Sequence, residues 1–236
     1  MNIGNVDWSV LWQPPNGRNL LEALLLTFQI AAVSWVLSML LGVGVGLMRT
    51  APVAVLRFIG TVYVEIFRNI PLLVQLFFVY FIFPRVLPAF AKQVLFDYGW
   101  EIAAAIITLS LYSSAKIAEL VKSGFNTIGA GLHMAAASSG LTWWQSQRHI
   151  FLNLLLRTIT PGLASEFVTI FKGSSLAMAV GVAETTYVTR QLGTETFQWL
   201  PVNLYASAVY LFCAWGIAAV MLLVEKRIAV PGRIGG

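Results

Sequence analysis

The chain has 236 residues, 58% of them hydrophobic and only 11% charged, with a mean hydropathy of +0.78. A soluble domain carries about 25% charged residues, so this chain cannot clothe a water-facing surface and an integral membrane protein is the class left. The net charge of +5 is scattered among loops between apolar runs rather than gathered into a phosphate-binding face, which excludes nucleic acid as a partner, and the lone Cys213 excludes an intramolecular disulfide.

The first 19 residues are read as an external N-terminal segment. They carry Asp7 and no basic stretch, so no secretory signal peptide is expected, and Trp8 and Trp12 suit a membrane interface. Ala23 to Met48 is a run of about 26 residues without a formal charge, enough to cross roughly 30 Å of hydrocarbon with some tilt. Near its end Gly42 and Gly46 form a small-xxx-small pair, which permits close helix approach. A phosphate loop is the rival reading of these glycines. It fails because no Lys-Ser/Thr follows.

Arg49 and Arg57 bracket a turn at Thr50-Ala51-Pro52. A second span is expected over Phe58 to Phe83, with a helix break at Pro71, which has no N–H and clashes with the carbonyl of Phe67. Glu65 and Arg68 stand three apart, a spacing at which they could pair. They either line a protected cavity or snorkel from a helix end to the interface. Pro84, Pro88 and Asp97 mark a loop. A third span runs over Trp100 to Val121, and Lys116, Glu119 and Lys122 carry its helix beyond the lipid as a solvated or protein-bound stalk.

The next segment, about 128–157, is polar and punctuated by glycine. Its small residues favour a short helix, Gly140 suits a left-handed stop, and Thr142 with Gln145 is a capping box that starts a second helix. Pro161 is expected to open a fourth helix reaching about Ala183, with Glu166 and Lys172-Gly173-Ser174-Ser175 within it. A last span follows from about Thr196 to Val224. Glu166 and Lys172 are six apart, about 120° round a helix, so they are not expected to pair directly.

Five spans place the termini on opposite sides. The loops at 49–57 and 116–157 and the tail hold nine basic residues: Arg49, Arg57, Lys116, Lys122, Arg148, Arg157, Lys226, Arg227 and Arg233. The other side holds four: Arg18, Arg85, Lys92 and Arg190. The excess places the polar segment and the C-terminus in the cytoplasm and the N-terminus outside.

Gly131, Ala135, Ala136 and Gly140, followed by Ile150 and Leu152, fall at the spacing of the ATPase-docking "EAA" loop of ABC importer membrane subunits, which the segment resembles. Met134 stands where that pattern has Glu, and Asn153 where it has Pro. Glu65 through Gln75 resembles the E-x-F-R-x-x-P-L-x-x-Q element of polar amino-acid ABC permeases, and Lys172 to Leu176 resembles their K-x-(S/T)-S-L stretch. The tail from Val224 through Gly232 is similar to that of glutamate/aspartate permease subunits.

The resemblance implies an all-α integral membrane protein of the type I ABC importer membrane-subunit fold: five transmembrane helices with a cytoplasmic helix-turn-helix coupling loop. Residues 20–227 would form the transmembrane domain and 228–236 a cytoplasmic tail, in a bacterial inner membrane. It implies a permease subunit that carries no cofactor: ATP and Mg belong to a partner ATPase. The implied partners are a homologous permease subunit or a second copy, two ATP-binding subunits, a substrate-binding protein and an amino acid, glutamate or aspartate before glutamine, histidine or a basic one. Docking falls to Gly131, Met134, Ala135, Ala136, Gly140, Thr142 and Arg148. The substrate path falls to Arg68, Asn69, Glu166, Lys172, Ser174 and Ser175, with Arg68 and Lys172 as attracting charges and Glu166 meeting an α-ammonium group or neutralising Lys172. The sequence has no G-x-x-x-x-G-K-[S/T], so it offers no usual cradle for ATP. An ion-driven secondary transporter is disfavoured because five spans leave no even inverted repeat. An intramembrane enzyme is disfavoured because His133 and His149 make no H-E-x-x-H arrangement.

Overall fold

A computed structural model describes residues 6–97, 99–127, 130–146 and 150–228. The described residues fold into helices: α1 Asn16–Thr50, α2 Ala54–Asn69, α3 Leu72–Phe81, α4 Phe83–Val86, α5 Ala89–Asp97, α6 Trp100–Asn126, α7 Ala130–Ser138, α8 Trp143–Ser146, α9 Leu152–Gly173, α10 Thr185–Thr196 and α11 Trp199–Ile228. A 3-10 turn, Trp8–Leu11, precedes α1, and a 3-10 segment, Ser174–Val180, continues α9.

The bundle is built around α6, which packs against α1, α2, α3 and α9. Its longest seam is with α1, where the buried positions Ser34, Ser38, Gly42 and Gly46 recur at helical spacing. With no water to drive apolar surfaces together in lipid, close backbone approach supplies the contact, and small residues allow it. A Cβ added at Gly42 would lie 2.6 Å from Ile117, and one at Gly46 would lie 2.6 Å from Val121. The glycine pair therefore has the close approach its spacing predicts, and the two helices run parallel. On the far side α9 returns antiparallel, with Leu155 and Ile159 filling the space over Gly124. The last helix, α11, covers α9 and α1 through Ile217 and Met221.

Among the described residues four helices are long and apolar enough to cross a membrane, or five if α2 and α3 together make one bent span. The run from Phe58 to Phe83 breaks at Pro71 as expected, into two helices meeting at 103°. Two boundaries differ from expectation. The stretch with Pro84, Pro88 and Asp97 is not a loop: Pro84 sits in the first turn of α4, where its missing N–H is tolerated, and α5 follows. Pro161 lies inside α9 rather than at a helix start. Just before it, the hydroxyls of Thr158 and Thr160 donate four residues back, to the carbonyls of Leu154 and Leu156, at 2.9 and 2.6 Å.

The helix expected to reach Ala183 tightens at Gly173. Ser174 and Ser175 donate their hydroxyls three residues back, to the carbonyls of Phe171 and Lys172, each at 2.7 Å, in the i, i+3 register of a 3-10 helix. Gly181, at φ 88°, then turns the chain. Helix α10 was not foreseen. Its start is fixed by Glu184, fully buried, whose carboxylate accepts the Thr186 and Tyr187 N–H groups at 2.9 Å and the Tyr210 hydroxyl at 2.7 Å.

Candidate functional site

Three features of the bundle stand out chemically: a break in α2–α3, a layer of charges on α6, and the polar turn at α7–α8. At the break, Pro71 leaves the Phe67 carbonyl without its helical donor. Gln75 supplies one: its Nε2 donates to Phe67 O at 2.8 Å and to Ile70 O at 2.7 Å. Gln75 is buried, so the Glu65-to-Gln75 motif folds into a self-capped corner. Leu72, just past the corner, packs near Gly173, where an added Cβ would lie 3.5 Å from Leu72 and 3.3 Å from Leu109. The two motif stretches thus meet where both helices lose regular geometry. The void between them is about 10 Å³, too small for a water molecule with partners.

The charge layer joins four helices. Arg49 of α1 donates to Glu119 of α6 at 2.7 Å, and Arg68 of α2 lies 3.7 Å from the same oxygen. Gly60 lets α2 pass the Arg49 stem, since a Cβ there would meet Arg49 Cγ at 2.8 Å. Lys116 of α6 lies 3.5 Å from the buried Glu166 of α9 and 4.5 Å from the centre of the Tyr112 ring. Lys116 and Glu119 are thus the protein-bound form of the expected stalk.

Partners differ from several sequence expectations. Arg68 pairs across to Glu119 rather than with Glu65, which accepts the Asn69 amide at 2.8 Å. Glu166 meets Lys116 rather than Lys172, and the Lys172 side chain is exposed. Ser174 and Ser175 give their protons to local carbonyls, and Ser174 is fully buried, so neither offers a free donor here. Sequence reasoning missed Arg49, Gln75 and Glu184 as polar anchors. Gln75 alone had a signal, standing four residues after the proline.

In the polar turn, α7 ends with Gly140 at φ 74°, and Leu141 N–H donates to Ala136 O at 3.3 Å, closing a Schellman cap. Ala136 is buried beside Phe151 and Leu141. Met134, 65% exposed, and Gly131 face outward. Thr142 and Gln145 exchange the bonds of a capping box, Thr142 N–H to Gln145 Oε1 at 2.8 Å and Gln145 N–H to Thr142 Oγ1 at 3.4 Å. Arg148 and the Ala135 side chain lie outside the described residues.

A cavity of about 410 Å³ lies elsewhere, between the N-terminal part of α1 and the length of α10. Glu22, Glu195, Asn19 and Gln191 line it, and no predicted path residue does.

Comparison with known proteins places this architecture. Residues 38–229 match the family model described as the binding-protein-dependent transport system inner membrane component. The chain is 29% identical to the glutamate/aspartate import permease protein GltJ of Escherichia coli (strain K12), over 98% of this chain and 99% of that protein. It is 32% identical to the probable amino-acid ABC transporter permease protein YckA of Bacillus subtilis (strain 168), over 86% of each. Among solved structures, an amino acid ABC transporter crystallised with histidines superposes with a TM-score of 0.79 at 23% identity, covering 94% of this chain and 99% of the other. The inward-facing MetNI methionine ABC transporter gives 0.77 at 22%, covering 92% and 100%. With helices of the ABC importer membrane-subunit fold along its length and a family match over most of it, the chain belongs to the binding-protein-dependent transport system inner membrane components, a transport subunit rather than an enzyme.

Proposed function

We propose that this chain is the membrane-spanning subunit of an ATP-driven amino-acid importer, with glutamate or aspartate as its solute. The observation that carries the reading is the end-to-end likeness to GltJ, a glutamate/aspartate import permease, within a family already defined by binding-protein-dependent transport. Likeness of 27% to the glutamine permease GlnP of Escherichia coli (strain K12) and to the arginine permease ArtQ of Bacillus subtilis (strain 168) supports the amino-acid class and supplies the rival solutes. A homologous membrane subunit or second copy, two ATP-binding subunits and a substrate-binding protein complete the complex.

In this reading the N-terminal residues 1–19 are external, residues 20–227 form the transmembrane domain, and residues 228–236 are cytoplasmic. The excess of Lys and Arg on the α7–α8 side supports that orientation in an inner membrane. The segment 128–157 docks the ATPase: Gly131 and Met134 are exposed on α7, Ala136 is buried behind them, and Ala135, Gly140, Thr142 and Arg148 complete the docking set. Because α7 is locked to its surroundings by the Gly140 cap and the buried Ala136, it moves as a unit when the ATPases close. Differential contacts of the ATPase with two states of the bundle supply the coupling.

The path runs past the Pro71 corner and the facing Lys172-to-Ser175 stretch. Arg68 is the carboxylate-attracting group, and Lys172, exposed at the end of α9, is the second. Asn69, Ser174, Ser175 and Glu166 shape the wall. Vesicles containing the chain with its ATPase, membrane partner and binding protein test the proposal. Uptake of L-glutamate that requires ATP is expected, with glutamine and arginine poorer competitors, and Arg68→Ala or Lys172→Ala lowers uptake at normal assembly. Uptake without any ATPase, or unchanged transport in both variants, overturns it.

A further inference from the structure

One carboxylate serves two guanidinium groups in the charge layer. Glu119 Oε1 lies 2.7 Å from Arg49 Nη1 and 3.7 Å from Arg68 Nη1, and the two contacts are unlike. The Arg49 side chain is 4% exposed, and its Nε has no hydrogen-bond partner among the described residues. Taking Glu119 from Arg49 would leave a buried charge unpaired, which is strongly unfavourable. The Arg68 side chain is 58% exposed and lies beyond hydrogen-bond distance, so its contact is readily exchanged. Two arginines against one glutamate leave the trio at net +1, and Arg68 is the member free to take a second anion. Glu65, the carboxylate nearest in sequence, is engaged by the Asn69 amide.

We propose that Glu119 is a positioning residue for Arg68: it holds Arg68 against α6 while the path is empty, and the carboxylate of an incoming amino acid displaces it, leaving Glu119 with Arg49. The exchange rests on the function proposed above, in which Arg68 borders the solute path. It links solute to helix geometry because Arg68 closes α2, three residues before Pro71 and the 103° corner. Releasing Arg68 unties α2 from α6 at that corner.

Competition predicts effects of opposite sign at the two positions, which a purely structural brace does not. The measurement is direct binding of L-glutamate, L-glutamine and L-arginine, each bearing an α-carboxylate, to the purified complex of this chain with its membrane partner and ATPase. The binding protein is left out so that its own affinity does not mask the result. Glu119→Gln removes the competitor: Kd for the bound probe falls by about three- to tenfold, and ATPase activity without solute rises. Arg68→Gln raises Kd by about tenfold, as loss of one charge-assisted hydrogen bond does. An unchanged or raised Kd in Glu119→Gln overturns the proposal, and so does an unchanged Kd in Arg68→Gln, whose exposed position leaves the fold intact.

If Glu119→Gln fails to assemble because Arg49 is left unpaired, Arg49→Met with Glu119→Gln replaces the buried pair by an apolar stem. That variant must show the same fall in Kd, and its failure to assemble assigns Glu119 to the fold alone and overturns the proposal. A wild-type complex that imports a probe with its binding protein but binds none directly also overturns it. Absence of ATP-dependent import of every probe by the wild type removes the function reading instead.

Discussion

At the scale of single residues, the bundle is held by polar groups that each answer a specific deficit. Gln75 replaces the donor that Pro71 lacks. Gln75→Ala takes the donor from the partly buried carbonyls of Phe67 and Ile70 and is expected to lower stability by about 1 kcal/mol, seen as a reduced Tm of the detergent-solubilised protein. The Lys116–Glu166 contact is of another kind, since Glu166 is buried and Lys116 only partly so. Lys116→Ala leaves that carboxylate without its countercharge and costs about 3 kcal/mol. Lys116→Ala with Glu166→Met should recover most of the loss, and a double variant as unstable as the single one would refute the pairing. Pro71 and Gln75 are both visible in the sequence. Nothing in it says that Arg49 reaches Glu119, 70 positions away, because that pairing exists only once α1 and α6 lie side by side.

Among elements, the α1–α6 seam is the packing on which the others depend. Gly46→Leu places a branched side chain where even a Cβ would lie 2.6 Å from Val121, so loss of membrane-assembled protein is expected, well beyond the 1–3 kcal/mol or so of ordinary overpacking. Gly44→Leu, on the open side of the same helix, serves as the control, since an added Cβ there meets nothing within 4 Å. The short elements follow different logic. Glu184 caps α10 and receives Tyr210 from α11, so Glu184→Ala should cost about 2 kcal/mol and loosen the outer end of both helices, measured as faster amide exchange over α10. Long apolar runs announce α1, α6 and α11 by composition. Helices α4, α5 and α10 are too short to announce themselves, and in α10 the Thr and Gly residues suit a loop equally well.

For the whole molecule, the proposed orientation has a direct consequence. In a Cys213→Ser background, a cysteine at exposed Ser138 is expected to react only with a reagent that crosses the membrane, while one at exposed Trp12 reacts from outside. Labelling of Ser138→Cys by an impermeant reagent in intact cells would reverse the topology and detach the α7–α8 turn from any ATPase. On the proposed path, solute passage requires the α2–α3 corner and the 3-10 segment, closely packed at Leu72 and Gly173, to separate. Tethering them with cysteines at positions 72 and 173 should halt uptake until the link is reduced.

The sequence by itself determined the membrane class, the principal spans, the glycine seam, the break at Pro71 and the turn chemistry of Gly140 and Thr142–Gln145, because each follows from hydropathy, chain geometry or a donor missing within a few residues. Only the tertiary structure decided which charges meet. Arg68 left Glu65 for Glu119, and Glu166 left Lys172 aside for Lys116. For the buried Glu166 the cost of an unpaired charge outweighs sequence proximity, whereas the exposed Arg68 takes the partner that helix packing brings within reach.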